Sequence, residues 1–279
     1  MSGAFYPVVV FLFGLVIGSF LNVVIYRLHT GKSLNDRSHC LSCGHGLSWY
    51  ELFPLLSYLF LRGRCRHCGC FIPYRYFAVE LLTGLAFLLA FYFADNLFAL
   101  IIMCLLLSAL IVGAVYDLYH LIIPDEVSFF VAFTATAFIF YEAVISSSTF
   151  FSIVVDSVAG GVLAFGVFGL LWLISHGTWM GFADAKLAFG LGLFVGLAGT
   201  FSFLVLSFWI GAITSLTIIF LQYLRRKLLA VGSLTISEHV NMKSEVPFAP
   251  FLIAAFLMVF FAGVDVLSLS SYVVELVSF

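Results

Sequence analysis

The chain has 279 residues, of which 63% are hydrophobic and only 9% are charged, with a formal net charge of -2. A soluble protein of this length needs a charged surface, and so few charges exclude that class. The alternating apolar and polar pattern of an outer-membrane barrel is also absent, so only helices can satisfy the backbone in lipid. We therefore predict an all-α, polytopic membrane protein that lies in a lipid bilayer.

Eight apolar segments follow one another along the chain, and we expect each to form a membrane helix. They span approximately residues 4–26, 76–94, 98–116, 127–145, 152–175, 185–199, 201–224 and 248–267. The first has no basic segment before it and no convincing cleavage site after it, so we interpret it as a retained helix. The expected parts are a first transmembrane helix (1–26), a small polar domain (27–75) and a seven-helix membrane domain (76–279).

Basic residues orient the helices, because cytoplasmic loops of membrane proteins are enriched in Lys and Arg. With the N-terminus outside, the cytoplasmic regions are 27–75, 117–126, 176–186 and 225–247. All 12 Lys and Arg residues then lie on the cytoplasmic side. A missed or additional helix would have distributed them over both sides, so this pattern supports the predicted topology.

Four cysteines in the polar domain form two Cys-x-x-Cys pairs, which together can complete a tetrahedral zinc site. The pairs are Cys40/Cys43 and Cys65/Cys68. A site closed by four thiolates holds a structural rather than a catalytic metal. Because the domain is expected to face the reducing cytoplasm, two disulfides are the weaker alternative. One of three adjacent histidines could also replace a cysteine as a ligand, namely His39, His45 or His67.

Acidic residues near the expected cytoplasmic face are candidates for chemistry, because an ionisable group at the edge of a membrane helix is costly. Asp117 ends the third apolar segment and Asp184 begins the sixth. Two carboxylates held near one water share a proton, so that one deprotonates the water while the other polarises a scissile carbonyl. Asp117 and Asp184 could form such a pair, with Lys186 tuning or neutralising the site around Asp184.

Each acid also has a structural alternative. Asp184 lies in the first turn of a helix, where the helix dipole favours a negative charge. Asp125 precedes an apolar segment and resembles an N-cap. Asp117 could be an interfacial residue, and Glu80 is a suitable partner for Arg75.

Several segments resemble signatures of one known family when they are taken in chain order. These segments are 18–28 (GSFLNVVIYRL), the two cysteine pairs, 72–76 (IPYRY), 79–84 (VELLTG), Asp117 with 122–125 (IIPD), and 181–184 (GFAD). Together they resemble the type IV prepilin leader peptidases of bacteria, and the last is similar to the GxGD signature of a membrane aspartyl protease class. Ala183 stands where that signature has glycine, so we expect a conventional or somewhat strained backbone there.

The resemblance implies a bifunctional enzyme of the bacterial inner membrane. Such enzymes cleave the leader of prepilins or pseudopilins after a glycine on the cytoplasmic side. They then N-methylate the new terminal residue with S-adenosylmethionine. In this chain the catalytic residues would be Asp117 and Asp184, with Lys186, Asp125 and Glu80 in support, and the four cysteines would hold structural zinc.

Other expectations stay open at the level of the sequence. We expect protein substrates and lipid as partners and no nucleic acid, whereas the oligomeric state and the residues that hold the methyl donor are not specified. One alternative is a leader peptidase without methyltransferase activity. Another, from a different class, is a non-enzymatic transporter or scaffold with a zinc-ribbon insert.

Overall fold

A computed structural model of the protein describes residues 5–30, 33, 36–145, 150–229 and 247–266. Within these ranges the regular structure is helical, and the β-type pairs are two isolated bridges, His39–Gly46 and Arg64–Phe71. The helices are α1 (Phe5–Arg27), α2 (Leu56–Phe60), α3 (Arg75–Phe93), α4 (Leu97–His120), α5 (Asp125–Ile145), α6 (Phe150–Ser175), α7 (Phe182–Leu229) and α8 (Ala249–Phe260), and a 3-10 turn at Trp49–Leu52 precedes α2. The prediction of an all-α membrane protein is confirmed.

Among the described residues, six helices are long and apolar enough to cross a membrane, namely α1, α3, α4, α5, α6 and α7. The last apolar segment was expected to reach residue 267, but α8 ends at Phe260. It ends there because Gly263 adopts a left-handed φ of 62° and the N–H of Val264 donates to the carbonyl of Met258 (3.1 Å). This closure is typical of a glycine-terminated helix end. Most of the loop expected at 225–247 lies outside the described residues.

The chain divides into two compact units, residues 1–115 and 116–279. In the first unit, α1 packs closely along α3 through glycines. A Cβ atom added to Gly14 would lie 2.9 Å from the Cα of Gly84, and one added to Gly18 would lie 2.7 Å from the Cα of Glu80. Small residues permit this close approach of membrane helices.

In the second unit, α7 changes direction at Gly196, where φ is 73° and ψ is 176°. Gly160 of α6 lies against Gly196, and the ring of Phe168, eight residues further along α6, lies 5.5 Å from that of Phe208. A straight α7 would carry Phe208 about 18 Å beyond Gly196, away from Phe168. The chain therefore turns back at Gly196, and the sixth and seventh predicted segments form the two arms of α7.

Candidate functional site

The two cysteine pairs lie on two turns with the same hydrogen-bond pattern. In the first turn, the N–H of Cys40 donates to the carbonyl of His45 (2.9 Å), and the N–H of Gly44 donates to the carbonyl of Cys40 (2.9 Å). The second turn repeats both bonds around Cys65 and Gly69. Gly44 and Gly69 each have a φ of 71°, a conformation that glycine adopts without a steric penalty. Each turn therefore directs its two thiols to the same side.

The four thiol sulfurs converge on one point and can bind a metal ion. All four lie within 4.8 Å of one another, and the sulfurs of Cys40 and Cys68 are 3.9 Å apart. Sulfurs at the corners of a tetrahedral zinc site are about 3.8 Å apart, so this set fits zinc. All six cysteines are free, so the disulfide alternative is wrong. Among the described residues, the cluster contains only the four cysteines. The rings of His45 and His67 stack on each other, with their centroids 4.6 Å apart.

The local backbone prepares one of these thiols to act as a ligand. The N–H groups of Cys43 and Ser42 lower the pKa of the Cys40 thiol from 9.0 to about 6. At Cys43, the N–H of His45 also lowers the pKa, but desolvation and the neighbouring thiols outweigh it and raise the value to about 11. Cys40 is therefore a thiolate at neutral pH, and the thiolate is the form that binds a metal.

Asp117 lies in the last turn of α4 and is only 4% exposed. A negative charge is unfavourable at a helix C-terminus, so α4 itself gives no reason for an acid here. The Oδ2 atom of Asp117 instead accepts a hydrogen bond from the N–H of Ala249 (3.0 Å), the first residue of α8. Phe248 has no side-chain group that could cap this helix, so the carboxylate satisfies one of its free amides.

Asp184 lies in the first turn of α7 and is 7% exposed. Its Oδ2 atom accepts a hydrogen bond from the N–H of Gly181 (3.1 Å), and its own N–H donates to the carbonyl of Gly181 (3.2 Å). This is the arrangement of the third helical residue in a capping box, at the positive end of the helix dipole. The helix terminus therefore stabilises the charge of Asp184 through one carboxylate oxygen.

Asp117 and Asp184 belong to the same unit and are close enough for their charges to interact. Of the residues that the structure describes, no lysine or arginine pairs with either carboxylate. Burying two acids together without a cation is costly, and the neutral side chains of Ser, Thr or Asn could cap the two helices without that cost. Such a pair is suited to hold and activate one water molecule.

Lys186 and Asp125 form an ion pair beside these acids. The Nζ atom of Lys186 lies 2.7 Å from Oδ1 of Asp125, with side-chain exposures of 28% and 55%. Asp125 is the first residue of α5 and Lys186 is the fifth residue of α7, so the pair joins the N-terminal ends of these two helices. Ala183, which stands in place of the signature glycine, lies in the first turn of α7 with a negative φ. Of the two expectations for its backbone, the conventional one is confirmed.

Glu80 lies in the first unit, and its contacts are made there. Its Oε2 atom accepts a hydrogen bond from the N–H of Leu55 (2.9 Å), and its carboxylate also accepts one from the hydroxyl of Ser19. The guanidinium of Arg75 donates to the hydroxyl of Tyr76 (3.4 Å) and lies over its ring. The structure thus places Glu80 beside α1 and the segment before α2.

Two features of the second unit were not found from the sequence. The start of α8 supplies the amide that holds Asp117, 132 residues away in the chain. The hydroxyl of Ser128 in α5 is buried and has no hydrogen-bond partner among the described residues. No sequence pattern predicts the first, whereas a serine on the inner face of a membrane helix could have indicated the second.

Comparisons with known proteins agree with these features. Residues 12–94 match the Bacterial Peptidase A24 N-terminal domain, and residues 104–216 match the Type IV leader peptidase family. A relative in Klebsiella pneumoniae named "Prepilin leader peptidase/N-methyltransferase" is 34% identical, over 67% of this chain and 83% of the relative. A relative of the same name in Aeromonas hydrophila is 30% identical, over 88% of this chain and 87% of the relative. One of the same name in Myxococcus xanthus is 47% identical over 44% of this chain and 37% of the relative. No solved structure matches the chain.

The two family matches include both cysteine pairs, Asp117 and Asp184. They place the chain with proteases rather than with the transporter or scaffold alternative. The protein is an integral membrane enzyme, and it belongs to the type IV leader peptidase family.

Proposed function

We propose that the protein is an aspartyl endopeptidase that removes the leader from type IV prepilins or pseudopilins after a glycine. We further propose that it N-methylates the new N-terminal residue with S-adenosylmethionine. The names of these relatives, which combine a leader peptidase with an N-methyltransferase, support both activities. The observation that carries the peptidase assignment is the pair of buried, mutually interacting carboxylates of Asp117 and Asp184, which have no cationic partner among the described residues.

In the proposed reaction, the two carboxylates share one proton and hold a water molecule between them. The ionised carboxylate takes a proton from the water, and the resulting nucleophile attacks the scissile carbonyl while the protonated carboxyl group donates to its oxygen. The leaving amine then takes up a proton as the peptide bond breaks. In both acids Oδ2 is held by a backbone N–H, which fixes the carboxyl group and leaves Oδ1 for this chemistry.

The position of the acids along their helices supports a cleavage site at the membrane boundary. Asp117 is in the last turn of α4 and Asp184 is in the first turn of α7, so both are at ends of membrane-capable helices. We assign these ends to the cytoplasmic face of the inner membrane, because the basic residues of the chain fall on that side in the predicted topology. A substrate whose apolar segment lies in the bilayer would then present its leader junction at this depth.

Lys186 and Asp125 have a positioning role in this proposal. Their ion pair connects the first turn of α5 to α7 at a position two residues after Asp184. Because both side chains are partly exposed, the pair contributes little stability. Its proposed effect is on the orientation of Asp184.

The four cysteines would hold a structural zinc ion, which would fix the fold of a domain too small for its own core. S-adenosylmethionine supplies a methyl group carried on a sulfonium. The new N-terminal amine of the pilin gains that methyl group and releases a proton, and S-adenosylhomocysteine is left.

Mass spectrometry of a purified prepilin tests both activities. The protein in lipid nanodiscs is incubated with the prepilin, with and without S-adenosylmethionine. We expect the mature pilin in both reactions and one added methyl group only with the donor. An intact prepilin would contradict the peptidase assignment. A mature but unmethylated pilin with the donor present would favour the alternative of a peptidase without methyltransferase activity.

A further inference from the structure

One surface of the polar domain in the first unit leaves several large apolar side chains exposed. It lies on the 3-10 turn and α2, and we call it the 49–60 surface. Its most exposed members are Trp49, Phe53, Leu56, Leu59 and Phe60, with Phe60 83% and Trp49 74% exposed. A contiguous apolar patch marks an interaction site, and aromatic residues are enriched where a protein meets the boundary between membrane and water.

Contacts with α3 place this surface at the level of the membrane boundary. The 19 residues of α3 extend about 28 Å, close to the thickness of the hydrocarbon core, so its first residue, Arg75, lies at the boundary. The N–H of Leu55 donates to Oε2 of Glu80 (2.9 Å), which lies about 7–8 Å further along α3. The ring of Tyr58 also lies 5.5 Å from that of Phe77. The 49–60 surface therefore lies beside the first two turns of a membrane helix.

An open groove of about 380 Å³ lies between the 3-10 turn and α2. Its apolar walls include Phe53, Leu56 and Phe60. Arg66 also lines the groove, and its guanidinium carbon lies 5.4 Å from the centre of the Tyr50 ring. The one acid in the lining, Glu51, is held by the N–H of Ser48, which donates to its Oε2 atom (2.8 Å). Apolar walls beside a guanidinium match the acyl chain and the phosphate of a phospholipid.

Three arginines follow the apolar surface directly. Arg62, Arg64 and Arg66 are all exposed, and within the described parts of the chain none of them forms an ion pair. The guanidinium of Arg64 lies over the ring of Phe71, at 4.3 Å from its centre. Arginine side chains can extend from an apolar surface to the lipid phosphates while their stems stay in contact with that surface. Positive charges at this position complement the anionic lipids of a cytoplasmic leaflet.

We propose that the 49–60 surface inserts into the cytoplasmic leaflet and that Arg62 and Arg66 bind the phosphate of an anionic phospholipid. The domain is joined at both ends to membrane-capable helices, α1 and α3, so the surface stays close to the bilayer without a separate anchor. Lipid is always present at the depth of the first turns of α3, whereas a protein partner would have to displace it. The bilayer is therefore the occupant that this position favours.

Photo-crosslinking in nanodiscs tests the insertion of the full-length, metal-loaded protein. Phosphatidylglycerol or phosphatidylcholine carrying a diazirine in its acyl chain is added, and adducts are located by mass spectrometry of peptides. We expect both lipids to label residues 49–60, with the exposed Leu82 and Leu85 of α3 as the positive control. Labelling of α3 without labelling of 49–60 would overturn the insertion. Loss of the 49–60 adducts on addition of a prepilin would assign the surface to the substrate and would also overturn it.

Two variants, Arg62→Gln and Arg66→Gln, test the binding of the lipid phosphate. Each removes one charge and keeps a polar side chain, and metal content and leader cleavage report whether the fold is intact. We expect the ratio of phosphatidylglycerol to phosphatidylcholine adducts in 49–60 to fall about fivefold in each variant. Arg37→Gln is the matched control, because Arg37 is exposed in the same domain but does not line the groove. An unchanged ratio in both variants, or an equal fall in Arg37→Gln, would overturn the assignment of these two arginines.

Discussion

The contact between α6 and α7 gives a sharp test of the fold, because two glycines of α6 have opposite surroundings. A Cβ atom added to Gly160 would lie 2.5 Å from the backbone carbon of Gly196 and 2.7 Å from the carbonyl oxygen of Gly192. A Cβ atom added to Gly166 would have no atom within 4 Å. Gly160→Ala and Gly166→Ala are therefore the same substitution in the same helix with different steric consequences.

The expected difference follows from these distances. In both variants alanine favours the helix by about 0.5–1 kcal/mol, and this contribution cancels in the comparison. For Gly160→Ala, backbone atoms must move by about 1 Å to restore ordinary contact, and such overpacking costs about 1–3 kcal/mol. Because a loss of 1 kcal/mol in unfolding free energy lowers the unfolding temperature by about 2–4 °C, the unfolding temperature of Gly160→Ala should be several degrees below that of Gly166→Ala.

The assay is thermal unfolding of both variants in the same detergent, followed by intrinsic fluorescence, together with the rate of leader cleavage. Gly166→Ala should match or exceed the parent in both measurements. Equal unfolding temperatures for the two variants would refute the close packing of α6 against the turn of α7.

Three further predictions concern the site. In a double-mutant cycle, Lys186→Met and Asp125→Asn should show a coupling of at most about 1 kcal/mol in unfolding, because the pair is partly exposed; a larger value would contradict this. Ala183→Gly should lower the free energy of unfolding by up to about 1 kcal/mol and leave the cleavage rate unchanged, because Ala183 already has a helical backbone. Faster cleavage by this variant would contradict the prediction and show that the methyl group of Ala183 obstructs the site. By elemental analysis, Cys40→Ser should have lost the bound metal and Cys104→Ser should have kept it, because Cys40 belongs to the cluster and Cys104 does not. Metal retained by Cys40→Ser would contradict the proposed ligand set.

Much of the fold was predictable from the sequence because long apolar segments have few alternatives in lipid. Segment 76–94 corresponds to α3 (Arg75–Phe93), and segment 152–175 corresponds to α6 (Phe150–Ser175). The end of α8 was not predictable by hydropathy, because apolar residues continue past Phe260 while Gly263 ends the helix. Local backbone conformation, rather than composition, sets that boundary.

The site was predictable in part, because motifs identify residues but not their partners. The spacing of the cysteines was enough to predict that four thiols converge. The sequence pointed to Asp117 and Asp184 as well, but not to the amide of Ala249 that holds Asp117, because α8 reaches it only through tertiary packing. Glu80 was predicted to pair with Arg75, whereas its observed contacts with Leu55 and Ser19 depend on how the segment before α2 folds back.

The most direct test of the catalytic pair is the initial rate of prepilin cleavage by Asp117→Asn and Asp184→Asn in nanodiscs, with Asp95→Asn, at an exposed residue after α3, as a matched control. Asparagine keeps the shape of each side chain and can still accept its backbone hydrogen bond, but it cannot exchange a proton with water. We predict that each of the two variants loses at least about 10²–10⁴-fold in rate while the control cleaves near the parental rate. Parental cleavage by either Asp117→Asn or Asp184→Asn would contradict the assignment of these two acids as the catalytic pair.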